Sequence, residues 1–146
     1  MTRGIEEVLA GHTDPVWSVA ISHAGTRVVS SGDTTVRIWN AETGETKHIL
    51  QGHLNGVRSV AFSRDETRVV SGSMDKSVRI WNAVTGEIER VLDGHDNGVL
   101  SVAFSPDETD VVSSGWDTVH IWDATINGTE CTTQSFELGA VRCIFT

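Results

Sequence analysis

A Gly-His dipeptide occurs at Gly11-His12, Gly52-His53 and Gly94-His95, spaced 41 and 42 residues apart. Each copy is followed by a Trp-Asx pair: Trp39-Asn40, Trp81-Asn82 and Trp122-Asp123. Between these markers the text repeats almost word for word. Ser-Val-Ala begins at Ser18, Ser59 and Ser101, and the tetrapeptide ending in Ile-Trp begins at Val36, Val78 and Val119. A chain that repeats at a fixed period of roughly 20–50 residues is built from units that cannot each bury a core alone and must stack.

Within a unit the apolar runs are short. The first, ending Val-Ala-Ile or Val-Ala-Phe, is followed by a turn carrying Gly25, Asp65 or Pro106-Asp107. Gly, Pro and Asp are turn formers because they tolerate or preset the bent backbone. A Val-Val-Ser run follows (residues 28–30, 69–71 and 111–113), then a polar turn with Asp33, Asp75 or Asp117, then the Ile-Trp run. The first two units add a more polar run, residues 46–50 and 88–92, after Thr43-Gly44 and Thr85-Gly86. Its charge suits an outer edge strand, where it discourages stray pairing. Regularly spaced short strands separated by turn signals predict an all-β chain. A period of about 40–45 residues from Gly-His to Trp-Asp marks the blade of a β-propeller, with four antiparallel strands per blade. The expected units are about 11–50, 52–92 and 94–136. An extra outer strand is expected at 5–9, and a partial inner strand of a fourth unit at 139–146. That makes one domain of three to three and a half blades.

The chain has 146 residues with 20 acidic against 11 basic, a net charge of −9. An acidic surface repels phosphate backbones, so nucleic acid is not an expected partner. No apolar run approaches the 18 residues of a membrane span, so no membrane partner is expected either. The N-terminus lacks the apolar core of a signal peptide, which makes the expected setting cytoplasmic. In a reducing compartment Cys131 and Cys143 are expected as free thiols.

These motifs resemble the WD-repeat β-propeller family. The resemblance covers residues 5–123 well, with Asn40 and Asn82 in place of the family's terminal Asp. It implies a hydrogen-bonded set in each blade: His12, Ser30, Asp33 and Trp39; His53, Ser71, Asp75 and Trp81; His95, Ser113, Asp117 and Trp122. The chemistry is self-consistent. A buried indole needs an acceptor, a serine hydroxyl provides one, and imidazole can bridge hydroxyl and carboxylate. A Ser-His-Asp set also invites a catalytic reading. Three copies buried between strands, without a Gly-x-Ser-x-Gly elbow, argue for structure instead, so no enzyme is expected. The histidines lie on different blades and no His-x3-His or Cys-x2-Cys pair is present, so neither metal nor cofactor is expected.

With the repeated residues assigned to folding, function is expected where the copies differ on exposed loops. Those positions are Trp17, Arg58 and Leu100 on the first strand of each unit, and Met74 and Trp116 before the turn Asp. Trp, Arg and Met are common interface anchors. The function read from this is a non-catalytic scaffold binding a protein or peptide on the loop face. A lectin-like or small-molecule site and a repeat fragment that binds only itself stay open beside it. Closed propellers have about 4–8 blades, so three blades imply apolar flanks at both ends and a homodimer that closes the ring.

Overall fold

The computed structural model describes residues 8–125, 132–135 and 140–144. The described residues are all-β, in three sheets. The first contains β1 (Ser18–Ile21), β2 (Arg27–Ser31), β3 (Val36–Asn40) and β4 (Thr46–Leu50), in that order and wholly antiparallel. The second repeats it with β5 (Val57–Phe62), β6 (Arg68–Ser73), β7 (Ser77–Asn82) and β8 (Ile88–Asp93). The third begins the same way with β9 (Ser101–Phe104), β10 (Asp110–Ser114) and β11 (Val119–Asp123). Among the described residues no helix is long and apolar enough to cross a membrane.

The turn into the fourth strand shows why Asn can replace Asp. The side-chain oxygen of Asn40 accepts from the amides of Glu42 and Thr43 (2.8 and 3.0 Å), and that of Asn82 from Val84 and Thr85 (2.8 and 2.9 Å). Asp123 does the same for Thr125, at 2.9 Å to its amide. The turn needs a short acceptor rather than a charge. Gly44 and Gly86 then take φ of 75° and 80°, a conformation glycine adopts without steric penalty.

The third sheet departs from the expected layout. Residues 140–144 were expected to start a fourth unit. Instead β13 (Ala140–Ile144) pairs in parallel with β11, in the place β4 and β8 hold in their own sheets. Outside it lies β12 (Thr132–Ser135), antiparallel to β13. The edge of β11 presents unpaired backbone groups that a following strand can satisfy. The expected strand at 5–9 falls mostly outside the described residues.

The core lies between the sheets. Val29, Val36, Ile38 and Leu50 of the first pack on Val57, Val60, Val69, Trp81 and Ala83 of the second. The junction of the second with the third repeats this residue for residue: Val70, Val78, Ile80 and Leu92 on Val99, Val102, Val111, Trp122 and Ala124. Stacked sheets with period-2 strands bury both faces, which explains the Val-rich runs. Polar contacts reinforce each junction. Ser18 Oγ accepts from the Val60 amide (3.2 Å), and Ser59 Oγ from the Val102 amide (3.1 Å). Arg27 donates to the Ala83 carbonyl (3.0 Å) and Arg68 to the Ala124 carbonyl (2.7 Å). Among the described residues, Val16, Val19 and Ile21 of the first unit and Val119 of the third are exposed where their counterparts at the junctions are covered.

Candidate functional site

The Gly-His dipeptides hold the inner corner of each blade. A Cβ on Gly11 would lie 2.6 Å from an Arg37 guanidinium nitrogen, and one on Gly94 would lie 2.8 Å from the Trp122 ring. At Gly94 the neighbour is a rigid ring that a side chain would strike, whereas at Gly11 it is the mobile end of an arginine that can give way. The histidine then turns inward. His53 Nδ1 donates to Asp75 (2.8 Å), and the Ser71 hydroxyl donates to its Nε2 (2.7 Å). The Trp81 indole donates to the same hydroxyl oxygen at 2.8 Å. The first unit matches, with His12 to Asp33 at 3.1 Å, His12 to Ser30 at 2.7 Å and Trp39 to Ser30 at 2.8 Å. A chain of hydrogen bonds in which every member is satisfied fixes loop against strand.

The carboxylates are themselves held. Asp75 accepts from the Ser77 amide (2.9 Å), the Ser77 hydroxyl (2.6 Å) and the Leu54 amide (3.0 Å). Burial works against its charge, but these donors and His53 outweigh it and hold the group down at about 2. Asp33 is lowered too, by Thr35, Thr13 and His12 against the same burial. Burial pushes the His53 imidazole down, opposed by Asp75, so it is neutral at pH 7.

The third set is incomplete. His95, Ser113 and Trp122 assemble as expected, at 2.7 and 2.8 Å. Asp117 does not join them: it lies exposed in its turn. The reason is one missing residue. Asp33 and Asp75 stand six residues before their tryptophans, and Asp117 stands five before Trp122. The residue two after Asp33 or Asp75 is Thr35 or Ser77, whose hydroxyl grips the carboxylate. Two after Asp117 comes Val119, which has none. His120 instead packs beside the histidine of this set. It replaces Arg37 and Arg79 of the other units, and its ring lies 3.8 Å from that of His95 and 5.3 Å from that of Trp122.

On the loop face the structure brings Trp17 and Arg58 together. The guanidinium lies 4.5 Å from the indole centroid, close enough for a cation–π contact. Trp17 is 47 % exposed and lies over Gly56 of the next unit. It borders a cleft of about 320 Å³ with Asp14, Asp33, Thr34 and Asn55. Met74 is half-buried and packs on Gly98. Leu100 is half-buried, its amide bonded to the Ser114 carbonyl at 2.8 Å. Trp116, 71 % exposed, stands in the third unit beside His95 and Asp117. The five residues therefore form one contacting pair with separate neighbours.

Three blades that share the inner His-Ser-Trp geometry are now in view, and the family profile described as "WD domain, G-beta repeat" matches residues 5–40, 44–82 and 86–123. The chain belongs to the WD40 repeat family. A curated WD40 relative, WD repeat-containing protein pop2 of Schizosaccharomyces pombe (strain 972 / ATCC 24843), is 45% identical over 49 residues. That match takes in 34% of this chain and 7% of the relative's length. Two solved structures share the fold, "Structure of U3-55K" and "Crystal structure of RRP9 WD40 repeats". Each has a TM-score of 0.79 and 24% identity over 83% of this chain and 39% of its own. The chain thus spans well under half of the WD40 structures it matches.

His120 is the residue of this WD40 chain that the sequence reading passed over. Its signal was visible: Val-His-Ile-Trp where the other units have Val-Arg-Ile-Trp, beside a turn one residue short. The third blade is therefore expected to be the pH-sensitive one. Burial and the neighbouring His120 push His95 down to about 4, opposed by Asp96, and burial also lowers His120. The unfolded chain takes up these protons near the ordinary histidine value of about 6.5. Stability from this pair is therefore complete above about pH 6.5 and is lost as pH falls toward 4. Amide exchange at pH 7 and pH 5 is expected to show β9–β11 losing protection ahead of β5–β7. Equal loss in both blades would contradict the assignment.

Proposed function

We propose that this chain is a non-catalytic scaffold that docks a protein or peptide on the loop face carrying Trp17 and Arg58. WD40 repeat proteins are in general protein-interaction scaffolds. The observation that supports this particular face is the exposed Trp17–Arg58 stack beside an open cleft. Trp17 and Arg58 occupy one repeat position in which the third unit has Leu100, while the flanking residues are almost identical between units. Residues that vary within a chain of near-copies are not dictated by the fold. The indole offers a large rigid surface and the guanidinium offers directed donors, the two properties that dominate binding hot spots.

The test is selection of peptides from a displayed library against the purified protein, followed by affinity measurement. The double variant Trp17→Ala, Arg58→Ala is expected to weaken the selected peptides by roughly 30-fold or more, as loss of a central hot spot does. Trp116→Ala, in a separate patch, is expected to leave their affinity unchanged. Peptides that bind the double variant as well as the parent would remove this face from consideration.

A further inference from the structure

We infer that the cleft between the first and second blades receives a lysine or arginine side chain of the docked peptide. This rests on the docking face proposed above and names the chemistry that face selects. The cleft exists because the first unit is one residue short. Ser71 and Asp75 are four residues apart, as are Ser113 and Asp117, whereas Ser30 and Asp33 are three apart. The residue that the first unit lacks is the counterpart of Met74. At the second junction Met74 covers Gly98, its sulfur 2.7 Å from where a Cβ of that glycine would stand. At the first junction the matching glycine is Gly56. The atoms nearest to a Cβ there are the edge of the Trp17 ring and the Gly32 carbonyl oxygen, at 3.1 and 3.4 Å. The space beside them is the cleft of about 320 Å³. Both of its walls belong to this chain: Asp14, Trp17 and Asp33 come from the first unit, and Asn55 from the second.

The walls carry acceptors and no cationic side chain. They present the Asp14 and Asp33 carboxylates, the Thr34 hydroxyl, the Asn55 amide and the Trp17 indole. Burial works against the charge of Asp33, but its donors Thr35, Thr13 and His12 hold it below the usual carboxylate range, so it is ionised at pH 7. Its oxygens are taken by those partners, and it acts on the cleft through its charge. Asp14 is different. It is exposed, and among the described residues no hydrogen bond or ion pair engages its carboxylate. An incoming cation finds an open acceptor in Asp14 and a second negative charge in the wall. Its alkyl stem can lie along the indole, since long basic side chains bury their stems on apolar surface and keep the charged head among polar groups. The volume is at the lower end of ligand pockets, about 300–1,000 Å³, which suits one side chain.

Arg58 is the positive charge nearby. Its guanidinium lies 4.5 Å from the Trp17 centroid and does not line the cleft. It is engaged with the indole, and it limits the cleft to a single added cation. Two carboxylates inside against one guanidinium outside leave the balance negative, as it is for the whole chain at −9. A basic side chain therefore complements the cleft, and an acidic one would have to stay on the Arg58 side of the indole.

The peptides selected on the parent protein are the probes. In each, lysine is replaced by norleucine and arginine by citrulline, which keep the stem and remove the charge. One such replacement is expected to weaken binding by about tenfold or more, the scale of a close charge pair at an interface. Asp14→Asn is expected to weaken the charged peptide by a similar factor and to leave its neutral analogue unchanged. Thr34→Lys places a cation on the rim and is expected to weaken the charged peptide as well. Both positions are exposed, so the variants keep the fold, which circular dichroism checks. Asp14→Lys is expected to reverse the preference, binding a peptide with glutamate at the critical position more tightly than the basic one. Raised salt is expected to weaken the charged peptide more than its analogue. Peptides that are lost with Trp17→Ala, Arg58→Ala but ignore both Asp14→Asn and their own charge replacements would overturn the inference and leave the docking face standing. Peptides that depend on an acidic residue and on Arg58 alone would also overturn it, in favour of an acidic partner. Peptides indifferent to the double variant would remove the docking face and this cleft together.

Discussion

Asp75→Ala is expected to lower the stability of the chain by about 1–3 kcal/mol, whereas Asp117→Ala changes it by less than about 0.5 kcal/mol. The two residues follow equivalent Val-Val-Ser runs and are equal in chemistry, so the contrast isolates geometry. Asp75 accepts from the Leu54 amide, from Ser77 twice and from His53. Its removal leaves a buried imidazole donor with only the long contact to the Ser77 hydroxyl (3.4 Å) and frees the turn that Ser77 closes. Asp117 is exposed in its turn, and truncating an exposed side chain away from the packed residues changes little. Thermal denaturation at pH 7 separates the outcomes: at roughly 2–4 °C per kcal/mol for a chain near this size, Asp75→Ala shifts the midpoint by several degrees. Asp75→Asn keeps the acceptor for Leu54 and Ser77 and should recover part of the loss. The sign with pH follows from the same contacts. Asp75 is held down at about 2, so its contribution is present above the ordinary carboxylate range and is lost as pH falls through about 2. Equal shifts for Asp75→Ala and Asp117→Ala would mean that the third set is closed after all.

Most of the architecture was legible because it is written three times. The repeat gave the strand order of the first two blades and the inward-facing His, Ser and Trp, since each recurs with the same neighbours. Two features were not legible by the same logic. Asp117 matches the motif in identity, but one deleted residue removes the hydroxyl that would hold it. A motif read by residue type does not register that change in reach. The strand at 140–144 resembles an inner strand in composition, yet β11 offers a free edge in its own sheet and takes it in parallel. Composition identified the strand, and the available edge decided its partner. The loop face was legible only in part. Comparison of units found Trp17 and Arg58 separately, and the fold was needed to show that neighbouring blades place them in contact. Residues shared by all units are consumed by folding, while residues that differ mark the proposed docking face, as at Trp17, or a local change of packing, as at His120.

Val60→Asp is expected to prevent stable folding, whereas Val19→Asp leaves the blades intact. The two valines share a sequence context, Ser-Val-Ala, on the innermost strand of successive blades. Val60 is 5% exposed and packs with Val29, Val36 and Ile38 across the first junction. A carboxylate there would be desolvated among aliphatic groups with no cation of its own. An unpaired buried charge costs several kcal/mol, a large part of the about 5–15 kcal/mol that stabilises a typical domain. Val19 is 67% exposed, where a carboxylate stays in water. Circular dichroism and denaturant titration of each variant measure the difference: a cooperative transition near that of the parent for Val19→Asp, and loss of the transition for Val60→Asp. The comparison also separates the two roles that one residue type plays in a stacked repeat. A valine between blades holds the chain together, and the equivalent valine of the first unit contributes little to that packing at 67% exposure. If Val19→Asp destabilised the chain as much as Val60→Asp, Val19 would be packed against the chain itself rather than exposed.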